Sequence, residues 1–117
     1  MMNKVILFER VKSNLDISSA SEFGEITVVF GSGDRRCSAF NTKLYQETLL
    51  NRLNELKFER ITDYICVAGS VLVISIGLIT IAQAYSSFNV LLFSSTESRY
   101  VPRRFDLSEI HEMLNAQ

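Results

Sequence analysis

The residues best suited to binding a ligand form two clusters of arginine. The first cluster follows a glycine turn and consists of Arg35 and Arg36. The second surrounds the only proline and consists of Arg99, Arg103 and Arg104, with Tyr100 beside Arg99. Arginine donates paired hydrogen bonds from a planar fork, which suits phosphate recognition better than simple solubility. Tyr100 and Phe105 could stack a base beside these groups. The alternative is that the arginines are ordinary surface charges paired with Glu97, Asp106 or Glu109.

A further candidate contact lies at Gly69 and Ser70, where a predicted strand meets a predicted helix. Backbone N–H groups at a helix start favour an anion, and open α/β sheets bind ligands at the carboxyl ends of their strands. The alternative is a plain tight turn whose serine caps the helix. Gly31-Ser-Gly-Asp34 invites comparison with a phosphate loop, but it lacks the Gly-Lys-Ser/Thr ending, which favours a hairpin turn.

The usual catalytic and metal-binding sets are missing from the sequence. His111 is the only histidine, and it falls on a predicted surface helix without partners for a Ser-His-acid or metal set. Cys37 and Cys66 have no CxxC spacing and fit small buried apolar residues with reduced thiols. We therefore expect a binding protein that is not an enzyme and uses no cofactor or metal.

Residues 64–96 contain no charged side chain. The predicted fold around the candidate residues depends on how this stretch is interpreted. One interpretation is a single-pass membrane protein with a span near residues 64–86. The breaks at Gly69-Ser70 and Ser86-Ser87 instead divide the stretch into strand, helix and strand. That division predicts a right-handed β-α-β crossover with parallel strands buried on both faces. Because basic residues flank the stretch on both sides and give no orientation, we favour the crossover over the membrane span.

The helix of this crossover is apolar nearly all round. Its large residues form one stripe, Val71, Ile74, Leu78, Ile81 and Tyr85; its small residues form another, Gly77, Thr80 and Ala84; a third apolar face holds Leu72, Ile76 and Ile79. A helix of this kind is buried on most sides. We expect its own sheet to cover one side and a partner subunit another, which makes the protein at least a homodimer.

The first half of the chain predicts strands and one amphipathic helix. Strands over residues 5–8 and 26–30 suggest antiparallel pairing, and residues 35–40 alternate well enough to return as a hairpin partner. A helix begins at Asn41 or Thr42, and its core stripe is Tyr45, Leu49, Leu53 and Leu56.

The last part of the chain predicts a hairpin and a short helix. Strands over residues 88–93 and 99–101 form the hairpin, and Pro102 marks the point where central pairing stops. Asp106 with Glu109 forms a capping box for the helix. The predicted fold class is therefore α/β (α+β): a small antiparallel or mixed sheet with two packed helices, one of them in the β-α-β crossover, and a short C-terminal helix.

Length and charge restrict the class of protein. The 117 residues fit a single domain over residues 1–117. The net charge of −1 and the isoelectric point near 5.8 argue against binding of long nucleic acid. The N-terminus lacks the order of a signal peptide, so we expect a cytoplasmic protein with little membrane contact.

The order of the elements resembles that of a known group of proteins. The segments that carry the resemblance are Asp63-Tyr-Ile-Cys-Val-Ala-Gly-Ser70, Phe88-Asn-Val-Leu-Leu-Phe93 and Arg99-Tyr-Val-Pro102. They look like small phage-encoded proteins, most of all the anti-Thoeris sponges that sequester cyclic ADP-ribose isomers and, in some members, short cyclic oligonucleotides. The resemblance implies an oligomer with pockets between subunits that bind a cyclic nucleotide without cleaving it. By position it implies Asn89, Arg103 and Arg104 as contacts.

The function we expect from the sequence is sequestration of a cyclic, nucleotide-derived signal, as a phage protein that counters host defence. The implied partners are that cyclic nucleotide or cyclic ADP-ribose-type molecule and further copies of the chain. Two alternatives stay open beside the membrane protein: a protein-protein adaptor, and a structural oligomer without a small ligand.

Overall fold

Five strands form one sheet in the computed structural model, which describes residues 3–11 and 17–116. The strands are β1 (Lys4–Glu9), β2 (Glu25–Phe30), β3 (Tyr64–Cys66), β4 (Ser87–Ser94) and β5 (Arg99–Asp106). Their order across the sheet is β2-β1-β3-β4-β5. The first four strands run parallel and β5 is antiparallel to β4. The helices are α1 (Thr42–Glu55), α2 (Val71–Ala84) and α3 (Leu107–Asn115), and a 3₁₀ helix covers Ser18–Phe23. The predicted α+β fold with a mixed sheet is confirmed.

The uncharged stretch folds as the predicted crossover. Strands β3 and β4 are parallel neighbours, and α2 connects them. Ser70 is the N-cap of α2, and its side chain accepts a hydrogen bond from the Val73 backbone N–H. Within the described residues, no helix is both long and apolar enough to cross a membrane.

Two predicted pairings in the first half of the chain are wrong. Strands β1 and β2 pair in parallel, with Val5 opposite Ile26, and the 3₁₀ helix between them in sequence packs on one face of the sheet. A connection of this length permits a crossover, whereas a tight turn would enforce antiparallel pairing. Residues 35–40 form no strand. The Asn41 side chain holds them as a loop, bonding the Arg36 carbonyl at 2.8 Å and the Ser38 N–H at 2.7 Å.

Strand β5 continues past Pro102, contrary to the predicted end of pairing. Pro102 lies opposite Leu91, and the strand runs on to Asp106. Because β5 is the last strand of the sheet, a proline without an N–H is tolerated there. Asp106 of the predicted capping box is confirmed as the N-cap of α3, and its side chain accepts a hydrogen bond from the Ser108 N–H at 3.0 Å.

Helices α1 and α2 pack on the same face of the sheet. The predicted stripe of α1 is confirmed, with Tyr45, Leu49 and Leu53 buried. For α2 the predicted division into stripes is partly wrong. The buried face combines small and medium residues, namely Val73, Gly77, Thr80 and Ile81, while Val71 is 82% exposed. The reason is steric, because the Phe8 ring of β1 fills the space over Gly77.

The opposite face of the sheet carries less cover. The 3₁₀ helix lies over it, and the small core there includes Ala20, Leu7, Cys66, Leu91 and Tyr100. Helix α3 follows directly after β5, and none of the residues of α3 is buried.

Candidate functional site

A cavity of about 910 Å³ opens at the carboxyl ends of β1, β2 and β3. Helix α2, which follows β3, packs on one face of the sheet, and the 3₁₀ helix, which follows β1, packs on the other. Because β1 and β3 are neighbours, the elements that follow them lie on opposite faces at this edge. Such a switch point is where open α/β sheets bind ligands. The described residues that line the cavity are Glu9, Arg10, Val11, Phe30, Gly31, Ser32, Asp34, Arg35, Arg36, Cys37, Tyr45, Gly69, Ser70 and Val73.

The cavity brings together two of the predicted groups of site residues. Arg35 and Arg36 line it from the loop after β2, and Gly69 and Ser70 line it from the turn before α2. Arg10 adds a third guanidinium from the end of β1. These three arginines are exposed, and none of them belongs to the three ion pairs found among residues 3–11 and 17–116.

The Gly69-Ser70 turn already has an internal anion. The Ser70 N–H donates to Glu9 Oε1 at 2.9 Å, so a carboxylate of the protein takes the position predicted for a ligand anion. Gly69 has φ of +127°, and a Cβ there would lie 3.1 Å from the same oxygen. Glycine therefore permits both the backbone conformation and the close approach of Glu9.

Tyr45 supplies a buried hydroxyl to the cavity wall. The residue is 5% exposed, and its oxygen has no hydrogen-bond partner within the described part of the chain. Burial is the main cause that raises the pKa of this phenol, so it stays a neutral donor. Its ring stacks on Phe30 with centroids 4.1 Å apart. Tyr45 thus brings a buried hydroxyl without a partner in the described residues to the wall of a cavity, and a group of this kind requires an explanation.

An ion pair fixes the rim of the cavity. Arg52 of α1 donates to both carboxylate oxygens of Asp34, at 2.6 and 2.8 Å, and to the Val29 carbonyl at 2.9 Å. The Gly31 N–H donates to the same carboxylate at 2.7 Å. The hydrogen bond from Arg52 is the main cause that lowers the pKa of Asp34 to about 2. The sequence offered no sign of this pair, because the partners are 18 positions apart and Arg52 fits a solvated helix face.

Three of the predicted contacts on β5 lie outside the cavity. Tyr100 is 1% exposed and its ring packs against Phe93, so it presents no face to a base. Arg99 lies 3.8 Å from the Glu22 carboxylate. Arg103 is exposed, and its guanidinium bonds the Pro102 carbonyl at 2.6 Å.

The remaining two predicted contacts belong to a cluster at the amino ends of the strands. Arg104 donates to Asn89 Oδ1 at 2.8 Å and to Ser87 Oγ at 2.9 Å. Arg60, which precedes β3, donates to the same hydroxyl at 2.7 Å. This cluster and the cavity lie at opposite ends of the sheet, so a single chain does not bring all the predicted site residues into one pocket. Arg60 and Ser87 were missed, since no local pattern distinguishes them.

The thiols show no sign of activation. Burial raises the pKa of the Cys66 thiol to about 11, and burial together with Glu9 raises the pKa of Cys37, which lines the cavity. A thiol kept protonated is a weak nucleophile. Among the described residues, no three histidine, cysteine or acidic side chains lie close enough to hold a metal ion.

Fold and site together define an α+β protein with a mostly parallel sheet and an arginine-lined cavity at its carboxyl edge. The family model described as Phage Pam3 gp32-like protein matches residues 6–107. The chain belongs to this family of phage proteins. No curated protein and no solved structure matches it.

Proposed function

We propose that the protein binds a phosphorylated, nucleotide-derived small molecule in the cavity and holds it without turnover. The observation that carries this proposal is that Arg35, Arg36 and Tyr45, whose hydroxyl has no hydrogen-bond partner among residues 3–11 and 17–116, line one cavity at the switch point of the sheet. Arginine side chains bind phosphate through charge-assisted hydrogen bonds. A buried donor without a partner gains most from a ligand acceptor.

The other groups in the cavity suit the rest of a nucleotide. Glu9 uses one oxygen for the Ser70 N–H, and its second oxygen makes no hydrogen bond within the described residues. A carboxylate at the end of a parallel strand is a common acceptor for ribose hydroxyls. Phe30, Val11 and Val73 supply apolar surface for a base. Sequestration of a cyclic nucleotide or a cyclic ADP-ribose isomer, as the resemblance to the sponges implies, is the specific form of this proposal.

Titration calorimetry against a panel of cyclic nucleotides and cyclic ADP-ribose isomers tests it. We expect at least one panel member to bind wild type, and Arg35→Ala/Arg36→Ala to weaken that binding about a hundredfold or more, since each lost charge-assisted bond is worth about 1.5–3 kcal/mol. The matched control is Arg99→Ala/Arg103→Ala, which removes the same charge from β5, outside the cavity. An equal loss in both double variants would point to a general charge effect and contradict the cavity site.

A second candidate function is that of a structural oligomer or adaptor in a phage assembly. Helix α3 buries none of its residues, although Ile110, Met113 and Leu114 are apolar and at least 47% exposed. Ile79 on α2 is also 51% exposed. Exposed apolar faces of this kind mark contacts with other proteins. Oligomers that bind no panel member, and that carry no small molecule after purification, would favour this candidate over the first.

A further inference from the structure

Two arginines converge on one hydroxyl at the end of the sheet opposite the cavity. Arg60 and Arg104 donate to the same Ser87 Oγ at 2.7 and 2.9 Å. Ser87 is only 5% exposed, so the two guanidinium groups meet over a position partly shielded from water. Like charges held this close repel, and the repulsion grows as solvent is excluded.

No carboxylate in the described residues compensates for this pair of charges by direct contact. The three ion pairs found there use Lys4, Arg52 and Arg99 as cations. The two acidic residues that follow the arginines closely in sequence are bonded elsewhere. Asp63 accepts hydrogen bonds from the Lys4 and Glu59 N–H groups, each at 2.8 Å.

The second acidic residue, Asp106, caps α3. Its Oδ1 accepts hydrogen bonds from the Ser108 N–H and hydroxyl at 3.0 and 2.5 Å. Hydrogen bonds from Ser108 and from the Glu109 backbone are the larger causes that lower the pKa of Asp106, and the charge of Arg104 makes the smallest contribution. Asp106 therefore offsets part of the charge of Arg104, while Arg60 forms no ion pair with any acidic residue in the described part of the chain.

The cluster is held in place by the strand beneath it. Asn89 Oδ1 accepts from Arg104 at 2.8 Å, and Asn89 Nδ2 donates to the carbonyls of Ile61 and Asp63 at 2.9 and 3.1 Å. One amide thus fixes both Arg104 and the loop that carries Arg60. A pre-positioned pair of guanidinium forks binds an oxyanion at little entropic cost.

We propose that Arg60, Arg104 and the Ser87 hydroxyl form a second anion site, for a phosphate group bridged by the two guanidiniums. This site goes beyond the proposed function, because it lies at the amino ends of the strands and shares no residue with the cavity. Its ligand class is free phosphate or a small phosphate monoester.

Calorimetric titration with inorganic phosphate, at constant ionic strength in chloride, tests the site. We expect wild type to bind phosphate, and Arg60→Ala and Arg104→Ala each to weaken binding about tenfold to a hundredfold. Arg103→Ala is the matched control, because alternation along β5 puts its side chain on the other face of the sheet. If glycerol phosphate binds with the same affinity as inorganic phosphate, the site is one for phosphate monoesters. If glycerol phosphate binds with lower affinity, the site is one for the free ion.

Two results would overturn the inference. One is phosphate affinity that is unchanged in both single variants or absent from wild type. The other is phosphate binding that is lost in Arg35→Ala/Arg36→Ala and kept in Arg104→Ala, which would place the ion in the cavity. If circular dichroism shows that Arg104→Ala does not fold, Arg104→Lys replaces it in the test. Lysine keeps the positive charge but cannot donate the paired hydrogen bonds of a guanidinium, so we expect its phosphate affinity to be about tenfold lower than that of wild type.

Discussion

Tyr45 lines the cavity, and its buried hydroxyl has no partner among the described residues. A buried donor left without an acceptor costs about 1–3 kcal/mol of stability. A ligand that supplies the missing acceptor would remove this cost. Tyr45 therefore separates stability from function more cleanly than the arginines, whose removal also changes the net charge.

We predict that Tyr45→Phe leaves stability unchanged or raises it by up to about 1 kcal/mol, while it weakens ligand binding about two- to tenfold. Urea unfolding and titration with the best panel member measure the two effects. Tyr85→Phe is the matched control: Tyr85 is half-buried outside the cavity, against Phe58, and its loss should leave binding unchanged. A clear loss of stability in Tyr45→Phe would show that the hydroxyl has a structural partner.

The ion pair at the cavity rim predicts a specific dependence of stability on pH. The folded-state pKa of Asp34 is lowered from 3.8 to about 2, mainly by the hydrogen bond from Arg52. A lowered pKa means that ionised Asp34 stabilises the fold above its unfolded-state pKa. This contribution is lost as the pH falls from about 4 towards 2.

We therefore expect the stability difference between wild type and Asp34→Asn to shrink over that interval and to be constant at neutral pH. Urea unfolding at a series of pH values measures it. Glu47→Gln, at an exposed position of α1, is the control for general charge effects. A difference that grows on acidification would contradict the assignment of the shift to Asp34.

At the scale of elements, α2 lies close to the sheet because it has glycine where it crosses β1. A Cβ on Gly77 would lie 2.5 Å from Cε2 of Phe8, a ring that is fully buried in the core. Real Cβ atoms do not approach so closely. The ring belongs to the buried core, and protein cores are packed closely enough to resist such a displacement.

We predict that Gly77→Ala destabilises the protein. Overpacking costs about 1–3 kcal/mol, which exceeds the gain of about 0.5–1 kcal/mol from helix propensity. Ser75→Ala, on the exposed side of the same helix, has the propensity gain without the clash and should be neutral or slightly stabilising. Thermal or urea unfolding of the pair decides the matter, and a stabilised Gly77→Ala would show that α2 lies farther from β1.

The sequence predicted elements better than it predicted pairing. Breaks at Gly69-Ser70 and Ser86-Ser87 correctly gave the crossover, because the turn and cap residues act locally. The direction of β2 depends on where the long connection runs, and no local pattern records that. The same holds for the buried face of α2, which depends on the size of Phe8 in a distant strand.

The candidate site was predictable only in part. Arginine pairs and the strand-to-helix turn indicated Arg35, Arg36, Gly69 and Ser70, which the fold places around one cavity. The role of Glu9 depends on a contact across 61 positions, which no local pattern records. The burial of Tyr45 was predicted from the helix stripe, but its position at the cavity depends on the tertiary fold. The β5 arginines were chosen as one cluster, but strand alternation separates Arg103 from Arg104.

At the scale of the whole molecule, the solvent side of α2 is uncharged. Leu72 and Ile79 are 39% and 51% exposed, and α2 contains no charged residue. Monomeric proteins rarely leave such a face open to water. A partner subunit packed on this face would bury the apolar side chains that a single chain leaves exposed.

We predict that Ile79→Arg stays folded and shifts the protein from oligomer to monomer, because an unpaired charge in an apolar interface costs several kcal/mol. Light scattering after size-exclusion chromatography measures the mass, and circular dichroism checks the fold. Asn51→Arg, at an exposed position of α1, is the matched control and should keep the oligomer. An oligomer of unchanged mass and stability in Ile79→Arg would show that this face is free.

The most direct test of the cavity's function is native mass spectrometry after incubation with the panel of cyclic nucleotides and cyclic ADP-ribose isomers. We expect wild type to retain one panel member in a fixed ratio to subunits and to release it with unchanged mass on denaturation. Arg35→Ala/Arg36→Ala should retain none, while Arg99→Ala/Arg103→Ala should retain it. Release of a converted product, or a wild-type protein that retains no panel member, would contradict binding without turnover at this cavity.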